Sequence, residues 1–129
     1  MTEEPVLLDQ LIDTEVVEIK LYGGIELIFG EDRESVLRIE SDFQIVQGGK
    51  NINVRFSPSR NEESFGLNHL AAIFRKTVIA ALAGAAGDLT LDFSNSVRMN
   101  IEHNDNYEAW MLSSRSGGSL ISLPGGGLG

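Results

Sequence analysis

The chain repeats its own apolar pattern in its second half, and this repeat constrains the fold more than any local motif. Three positions of a leucine-rich lead-in return at one constant offset: Leu8, Leu11 and Val16 as Leu70, Ile73 and Val78. Alternating positions of a strand return at a slightly longer offset: Ile25, Leu27 and Phe29 as Leu89, Leu91 and Phe93. Two like units are therefore expected within a single domain. The predicted duplication covers 6–56 and 67–123, with flexible tails at 1–5 and 124–129.

Apolar and polar residues alternate with the period of a strand through most of both copies. Val17, Ile19 and Leu21 alternate with Glu18 and Lys20, which makes one face of that strand apolar. Turns rich in Gly, Ser or Asn separate such segments, a pattern typical of antiparallel meanders with one solvated face. The segment 77–83 differs, because its small and β-branched residues predict a strand that is buried on both faces.

Leucines at helical spacing before each meander predict two short helices, at about 6–12 and 65–74. The expected fold class is α+β and β-rich. It consists of two pseudo-repeated antiparallel meanders of about 8–9 strands, forming packed sheets or a partly open barrel.

Composition and charge exclude several classes of partner. The net charge is −9, and residues 1–64 hold 14 acidic against 6 basic residues. Nucleic-acid affinity depends on Lys and Arg, so no nucleic-acid partner is expected. The absence of cysteine removes disulfides and thiolate chemistry and is typical of cytoplasmic proteins. No apolar run approaches the roughly 18 residues that cross a bilayer, which predicts a cytoplasmic protein without a membrane partner.

Sequence motifs for catalysis are missing. Neither Gly-x-Ser-x-Gly nor Gly-x-Gly-x-x-Gly occurs. The glycine run 125–127 has no helix after it, and Gly48-Gly49-Lys50 lacks the rest of a phosphate loop. Carboxylate pairs such as Asp88 with Asp92 fall on turns or wet strand faces, where pKa values are not driven apart. We predict that the chain is not an enzyme and uses no cofactor.

Metal ligation is also not expected. His69 and His103 lie far apart in the sequence, and neither has a second histidine at the spacing of a zinc site. The segment 103–108 is the densest group of polar oxygens, but it lacks the calcium-loop pattern with its central glycine and closing Glu. We predict a polar loop there and no metal site.

Three strings in the second half carry a resemblance to a known family. They are Leu-Thr-Leu-Asp-Phe at 89–93, Asn-Tyr-Glu-Ala-Trp at 106–110 and Leu-Ile-Ser-Leu-Pro-Gly-Gly at 120–126. The chain resembles a family of small uncharacterised bacterial proteins that share a Tyr-Glu-Ala-Trp strand motif and a C-terminal Pro-Gly-Gly. Many proteins of this size and type look like the immunity partners of bacterial toxins. The resemblance therefore implies a protein-binding role.

The Tyr-Glu-Ala-Trp motif itself is expected to be structural. A strand at about 106–113 has apolar residues on both faces, so it should be central or covered. Trp110 is the sole tryptophan, with Tyr107 and Glu108 beside it, and it is expected to anchor either the core, which we favour, or an interface. Glu108 is predicted to pair with Arg98 or Arg115 across strands.

The leading hypothesis is a non-catalytic protein-binding domain, a bacterial immunity or regulatory protein that neutralises a partner such as a basic toxin domain. Acidic residues on wet faces and loops would carry the contact: Glu26, Glu31, Asp32, Glu34, Glu40, Asp42, Glu62 and Glu63. The alternative is a self-associating structural domain, a homodimer formed through an edge strand or through exposed Ile28 and Ile79. A small-ligand-binding barrel ranks lowest, because the inward positions are apolar.

Overall fold

The chain folds into antiparallel β-sheets in the computed structural model, which describes residues 6–21, 23–55 and 67–129. Among these residues there are eleven strands: β1 Val6–Leu7, β2 Val16–Leu21, β3 Ile25–Phe29, β4 Ser35–Ile39, β5 Phe43–Gln47, β6 Lys50–Val54, β7 Val78–Ala83, β8 Leu89–Phe93, β9 Arg98–Ile101, β10 Trp110–Ser114 and β11 Ser119–Ile121. Two 3₁₀ helices, Asp9–Leu11 and Leu67–Ala72, precede β2 and β7.

The strands form two sheets. The six-stranded sheet has the order β1-β7-β8-β9-β5-β6, and the five-stranded sheet has the order β11-β10-β4-β3-β2. The β-rich, antiparallel part of the expected fold is thus confirmed. Within the described part of the chain each sheet ends in two different edge strands, so neither sheet closes on itself there. A single cluster of buried side chains, with Leu27, Phe29, Leu91, Phe93 and Trp110 among the most buried, forms the core.

The α+β expectation is wrong, because the described lead-ins form 3₁₀ turns and a short strand rather than α-helices. Leu70 and Ile73 have the same separation in sequence as Leu8 and Leu11. This separation matches one turn of a 3₁₀ helix, so a single turn already buries both members of each pair. The backbone N–H of Leu11 donates to Leu8 O, and that of Ile73 to Leu70 O, each at 3.1 Å. Residues 65–66 of the second predicted helix lie outside the described residues.

The meanders stop after three strands, which corrects the expected arrangement. Strands β2–β4 lie in the five-stranded sheet, but the hairpin β5–β6 pairs with β9 in the other sheet. Reciprocally, β7–β9 lie in the six-stranded sheet, and the hairpin β10–β11 pairs with β4. Every second residue stays buried across the first crossing: Leu37, Ile39, Ser41, Phe43 and Ile45. Because the alternation is unbroken, nothing in the sequence pattern indicates the change of sheet.

Reciprocal backbone hydrogen bonds join the two copies where each strand begins; we call the segments 13–16 and 75–78 the clasp. Its four bonds run from Asp13 N to Val78 O (2.8 Å), Arg75 N to Val16 O (2.8 Å), Val78 N to Thr14 O (2.8 Å) and Val16 N to Lys76 O (3.2 Å). Asp13 and Arg75, which are equivalent positions of the two copies, both have positive φ, 67° and 63°. Each bond from the first copy to the second therefore has an equivalent bond from the second copy to the first.

A register shift follows the clasp in both copies. It lies between Val16 and Glu18 in the pairing of β2 with β3, and between Val78 and Ala80 in the pairing of β7 with β8. Such a β-bulge inserts an extra residue and re-aims the side chains around it. Equivalent bulges therefore lie beside the clasp in both sheets.

The expected flexible tail at 124–129 is instead a hydrogen-bonded turn. Gly127 N donates to Ala86 O, Gly125 N to Asn104 O and Gly129 N to Ile121 O, each at 2.8 Å. This turn packs on Gly87, whose carbonyl accepts the Trp110 Nε1–H and the Ser122 hydroxyl, each at 2.8 Å. The Trp of the Tyr-Glu-Ala-Trp string and the Pro-Gly-Gly turn thus meet at one backbone position.

None of the helical segments in the described ranges has the length and apolar character to cross a bilayer.

Replacing Gly87 with Ala tests this junction. A Cβ at Gly87 would lie 2.8 Å from Gly127 O, a backbone atom, and φ is +100°. The control is Gly117→Ala, where φ is +114° and a Cβ would meet nothing within 4 Å. Both variants carry the strain of positive φ, but only Gly87→Ala is overpacked. We expect it to be less stable than the control by about 1–3 kcal/mol in denaturant unfolding. Equal stabilities of the two variants would contradict the close packing of the turn.

Candidate functional site

The outer face of the six-stranded sheet carries a row of side chains that changes from apolar to polar. The strand registers align Leu7, Leu82, Thr90, Asn100, Gln44 and Asn53 across the sheet. Their neighbours along the strands, such as Leu91 and Ile45, point into the core and are fully buried. The row joins an apolar patch at one end of the face to a polar pocket at the other.

The apolar patch consists of Leu7, Ile12, Ile79 and Leu82, which line a groove of about 470 Å³. Leu7 is 69% exposed, Ile79 is 56% exposed and Leu82 is 37% exposed. The prediction that 77–83 is buried on both faces is therefore wrong. Ile79 is the extra residue of the bulge in β7, and it is exposed next to exposed Ala80. The bulge thus adds to the apolar surface in solvent.

Charged groups border the apolar patch. Asp9, Asp92 and Arg98 line the same groove. Arg98 Nε donates to Asp92 Oδ1 at 2.6 Å and Nη2 donates to Oδ2 at 3.1 Å, a two-pronged contact. The hydrogen bond to Asp92 raises the pKa of the Arg98 guanidinium above its ordinary value. The groove is therefore lined by both apolar and charged side chains, a mixture that is usual in protein contacts.

The polar pocket, of about 340 Å³, lies at the other end of the row. Its lining residues are Asp42, Phe43, Gln44, Asn53, Arg55, Asn100 and Glu102. Gln44 Nε2 donates to Asn53 Oδ1 at 3.1 Å, and Thr90 Oγ1 donates to Asn100 Oδ1 at 3.2 Å. Each amide keeps further groups for hydrogen bonds to a polar ligand or to a peptide.

Sequence reasoning missed this pocket. Gln44, Asn53 and Asn100 all occupy wet-face positions of strands, which the alternation does indicate. They come together because β5 lies between β6 and β9. That neighbourhood arises from the exchange of hairpins between the sheets, so no local signal in the sequence could have shown it.

The acidic residues predicted to bind a partner lie in separate places. Glu26 and Glu40 both pair with Arg38 on the five-stranded sheet, at 3.6 Å and 2.6 Å. Glu31, Asp32 and Glu34 lie in and beside the turn between β3 and β4. Asp42 lines the polar pocket. Glu62 and Glu63 lie outside the described residues.

Part of the charge in the β3–β4 turn is engaged in contacts of the fold. Glu34 Oε1 accepts the Ser114 hydroxyl at 2.9 Å and the Ser116 N–H at 3.1 Å. Hydrogen bonds from Ser116 and Ser114 lower the pKa of Glu34 below its ordinary value. Arg115 Nη1 also donates to the Asp32 carbonyl at 2.8 Å. Glu31 and the Asp32 carboxylate are the more exposed acids of this turn.

The Tyr-Glu-Ala-Trp string divides between surface and core. Trp110 is 1% exposed, whereas Tyr107 is 48% exposed and precedes the strand, which begins only at Trp110. The predicted pairing of Glu108 with Arg98 or Arg115 is wrong. Arg98 pairs with Asp92 and Arg115 with the Asp32 carbonyl, while Glu108 lies before the strand rather than opposite either residue.

Of the two isoleucines named for self-association, only Ile79 is exposed. Ile28 is 4% exposed, although it alternates with the core positions Leu27 and Phe29. It lies opposite Glu18 on one neighbouring strand and Val36 on the other, and the ion pair of Glu18 with Arg33 is on the same side of the sheet. Ile28 therefore offers little surface for a dimer contact.

His103 forms a polar contact next to the C-terminal turn. Its backbone N–H and its Nδ1 lie 2.9 Å and 3.0 Å from Asp88 Oδ1. The hydrogen bond to Asp88 raises the pKa of His103 above its ordinary value of 6.5. His69 lies in the second 3₁₀ helix, away from this pair. Within the described ranges no three His, Asp or Glu side chains are grouped as metal ligands would be.

The His103 contact predicts a pH-dependent stability. Because its pKa is raised in the folded state, the charged pair stabilises the fold below about pH 6.5, and this stabilisation is lost as the pH rises through the folded-state pKa. His103→Gln should therefore lower the thermal midpoint more at about pH 5.5 than at about pH 8.5. His69→Gln is the matched control. A deficit of His103→Gln that is equal at both pH values would exclude a charged pair.

Comparison with known proteins identifies a family through its sequence model. No curated protein and no solved structure matches the chain. The sequence model of a family of unknown function, DUF6188, matches residues 7–129. This range contains the groove, the polar pocket and the C-terminal turn. The chain belongs to the DUF6188 family of unknown function.

Proposed function

We propose that this protein is a non-catalytic protein-binding domain that neutralises or regulates another protein, in the manner of a bacterial immunity protein. The observation that carries the proposal is the apolar patch on the outer face of the six-stranded sheet. Three large side chains on two paired strands, Leu7, Ile79 and Leu82, are each more than one-third exposed. A contiguous exposed apolar area with a polar rim is the usual mark of a surface that another protein covers.

The shape of this face supports a protein rather than a small molecule as the partner. The groove lies on an outer sheet face among exposed side chains, and the row of side chains continues from it through Thr90 and Asn100 toward the polar pocket. Small-molecule sites are usually concave and bury most of their ligand. A face with apolar residues at one end and hydrogen-bonding amides at the other suits a protein surface of mixed character.

Charge favours a basic partner. The net charge is −9, and most of the acidic excess lies in residues 1–64. Such a field raises the rate at which an oppositely charged protein is encountered, while buried contacts set the rate of dissociation. In this proposal the exposed acids, with Glu31 and Asp32 foremost, steer the partner, and the apolar patch holds it. A cytoplasmic location belongs to the same proposal and is supported by the lack of cysteine.

The distribution of perturbed groups supports binding over catalysis. Glu34, Arg98 and His103 have shifted pKa values, and each shift comes from a partner in its own part of the fold. Catalytic acids and bases usually share one cleft and act on one another. Ser122, a buried hydroxyl near His103, donates to the Gly87 carbonyl, so its proton is already engaged.

The patch is tested by affinity capture from an extract of the native host. Immobilised wild-type protein should retain a basic protein, and Ile79→Asp should lose it because a carboxylate would be buried in the contact. The expected weakening is at least about tenfold in dissociation constant. Tyr107→Asp is the matched control, since it adds the same charge at a residue of similar exposure outside the patch. Capture of no specific protein, or equal capture by Ile79→Asp, would refute the proposal.

The steering role of the acids is tested on the captured partner. Glu31→Lys combined with Asp32→Lys should slow association and flatten its dependence on salt, while dissociation stays nearly unchanged. Ile79→Asp should show the opposite pattern, with faster dissociation. An association rate and a salt dependence that remain those of the wild type would remove the acidic surface from the mechanism.

A further inference from the structure

We propose that two copies of this chain associate through the edge of β2 that no described strand covers, where β2 pairs antiparallel with β2 of a second copy. This inference goes beyond the partner-binding function and does not depend on it. The edge belongs to the five-stranded sheet, whereas the apolar patch lies on the other sheet. The two surfaces consist of different residues and can therefore be tested separately.

Strand β7 of the second copy corresponds to β2 of the first copy. The outer edge of β7 is covered by the short strand β1. Val6 pairs with Ala83 and Leu7 with Leu82, and Leu8 N donates to Ala81 O at 3.1 Å. Ala83, on the core-facing side of β7, is fully buried. A short extended apolar segment thus completes the sheet at this position in one copy.

The equivalent edge of β2 has no such cover among the described residues. Positions 68–69 correspond to β1 at the offset that relates Leu8 to Leu70, and they belong to the 3₁₀ helix Leu67–Ala72 instead of a strand. Leu21, the counterpart of Ala83, is 56% exposed. In the described chain β2 is the end strand of its sheet, and only Val16, at its start, is held by the clasp.

Backbone groups of β2 face this open edge. In β7 the carbonyl of Ala81 points away from β8 and accepts the bond from Leu8. β2 has the same bulge and the same antiparallel register to its hairpin partner, so Ile19 and Leu21 direct their N–H and C=O groups outward. Unpaired groups of this kind are a template for a further strand.

The sequence of β2 is complementary to itself. In an antiparallel pair centred on Ile19, Glu18 lies opposite Lys20 of the second copy, whereas Val17 is the extra residue of the bulge and has no regular place in the ladder. Opposite charges directly across an antiparallel ladder stabilise the pairing. The symmetric arrangement forms this charge pair twice, and it brings the exposed side chain of Leu21 beside the second copy.

The other long edges suit self-association less well. Strand β6 exposes Lys50, Asn51 and Asn53. Strand β11 is covered at Ile121, which exchanges backbone hydrogen bonds of 3.0 Å and 2.8 Å with Gly129. Among the described edges of the five-stranded sheet, β2 is therefore the one that is long, apolar on its inner side and open.

Charge exchange across the pair gives the test. Sedimentation velocity from micromolar to millimolar protein should show a concentration-dependent dimer for the wild type. Glu18→Lys places Lys opposite Lys, and Lys20→Glu places Glu opposite Glu, so each variant alone should raise the dimer dissociation constant by about tenfold or more. An equimolar mixture of the two variants restores opposite charges and should dimerise again.

The outcomes separate this inference from the partner-binding proposal. Circular dichroism checks that both variants fold, and Ile79→Asp, which lies on the other sheet, should dimerise like the wild type. A wild type that is monomeric at every concentration would overturn the inference. Dimers that persist in both single variants, or a mixture that stays monomeric while the wild type dimerises, would also overturn it.

Discussion

The rest of the structure depends on the backbone hydrogen bonds of the clasp. They are made by main-chain atoms of 13–16 and 75–78, so many side chains are compatible with them. The left-handed conformation of Asp13 and Arg75 turns each chain so that the next strand starts beside its counterpart. With the first residues of β2 and β7 joined in this way, each copy contributes three strands to one sheet and a hairpin to the other sheet. Neither copy can therefore complete its sheet alone.

The two copies have equivalent strands and bulges but present different surfaces to solvent. The β7 bulge exposes Ile79 beside Leu82, and the covering strand β1 adds Leu7 to the same face. The β2 bulge lies at an edge without a described covering strand, where Leu21 is exposed and Glu18 precedes Lys20. One copy thus presents a broad apolar face, and the other presents an edge that no described strand covers. Both features suit contact with proteins, and they differ because the lead-ins to the two copies differ.

The sequence predicted the antiparallel sheets, since alternation and turn residues are local signals. It failed at the lead-ins, because pairs such as Leu8 and Leu11 fit a 3₁₀ turn as well as an α-helix. It failed again at the crossing after Ile39, where the alternation continues through Ser41 into the other sheet. The polar pocket depends on the exchange of hairpins between the two sheets, and the apolar patch depends on the bulge in β7. Neither feature leaves a local pattern in the sequence. The candidate site was for this reason largely beyond prediction.

The central claim is that the clasp locks the exchanged copies into one cooperative unit. Native-state hydrogen exchange of the clasp amides, those of Asp13, Val16, Arg75 and Val78, tests it most directly. If the clasp is broken only when the whole fold unfolds, these amides exchange with the free energy of global unfolding, like amides of the core strands β3 and β8. Exchange of the clasp amides through a much smaller opening energy, while β3 and β8 stay protected, would contradict the account.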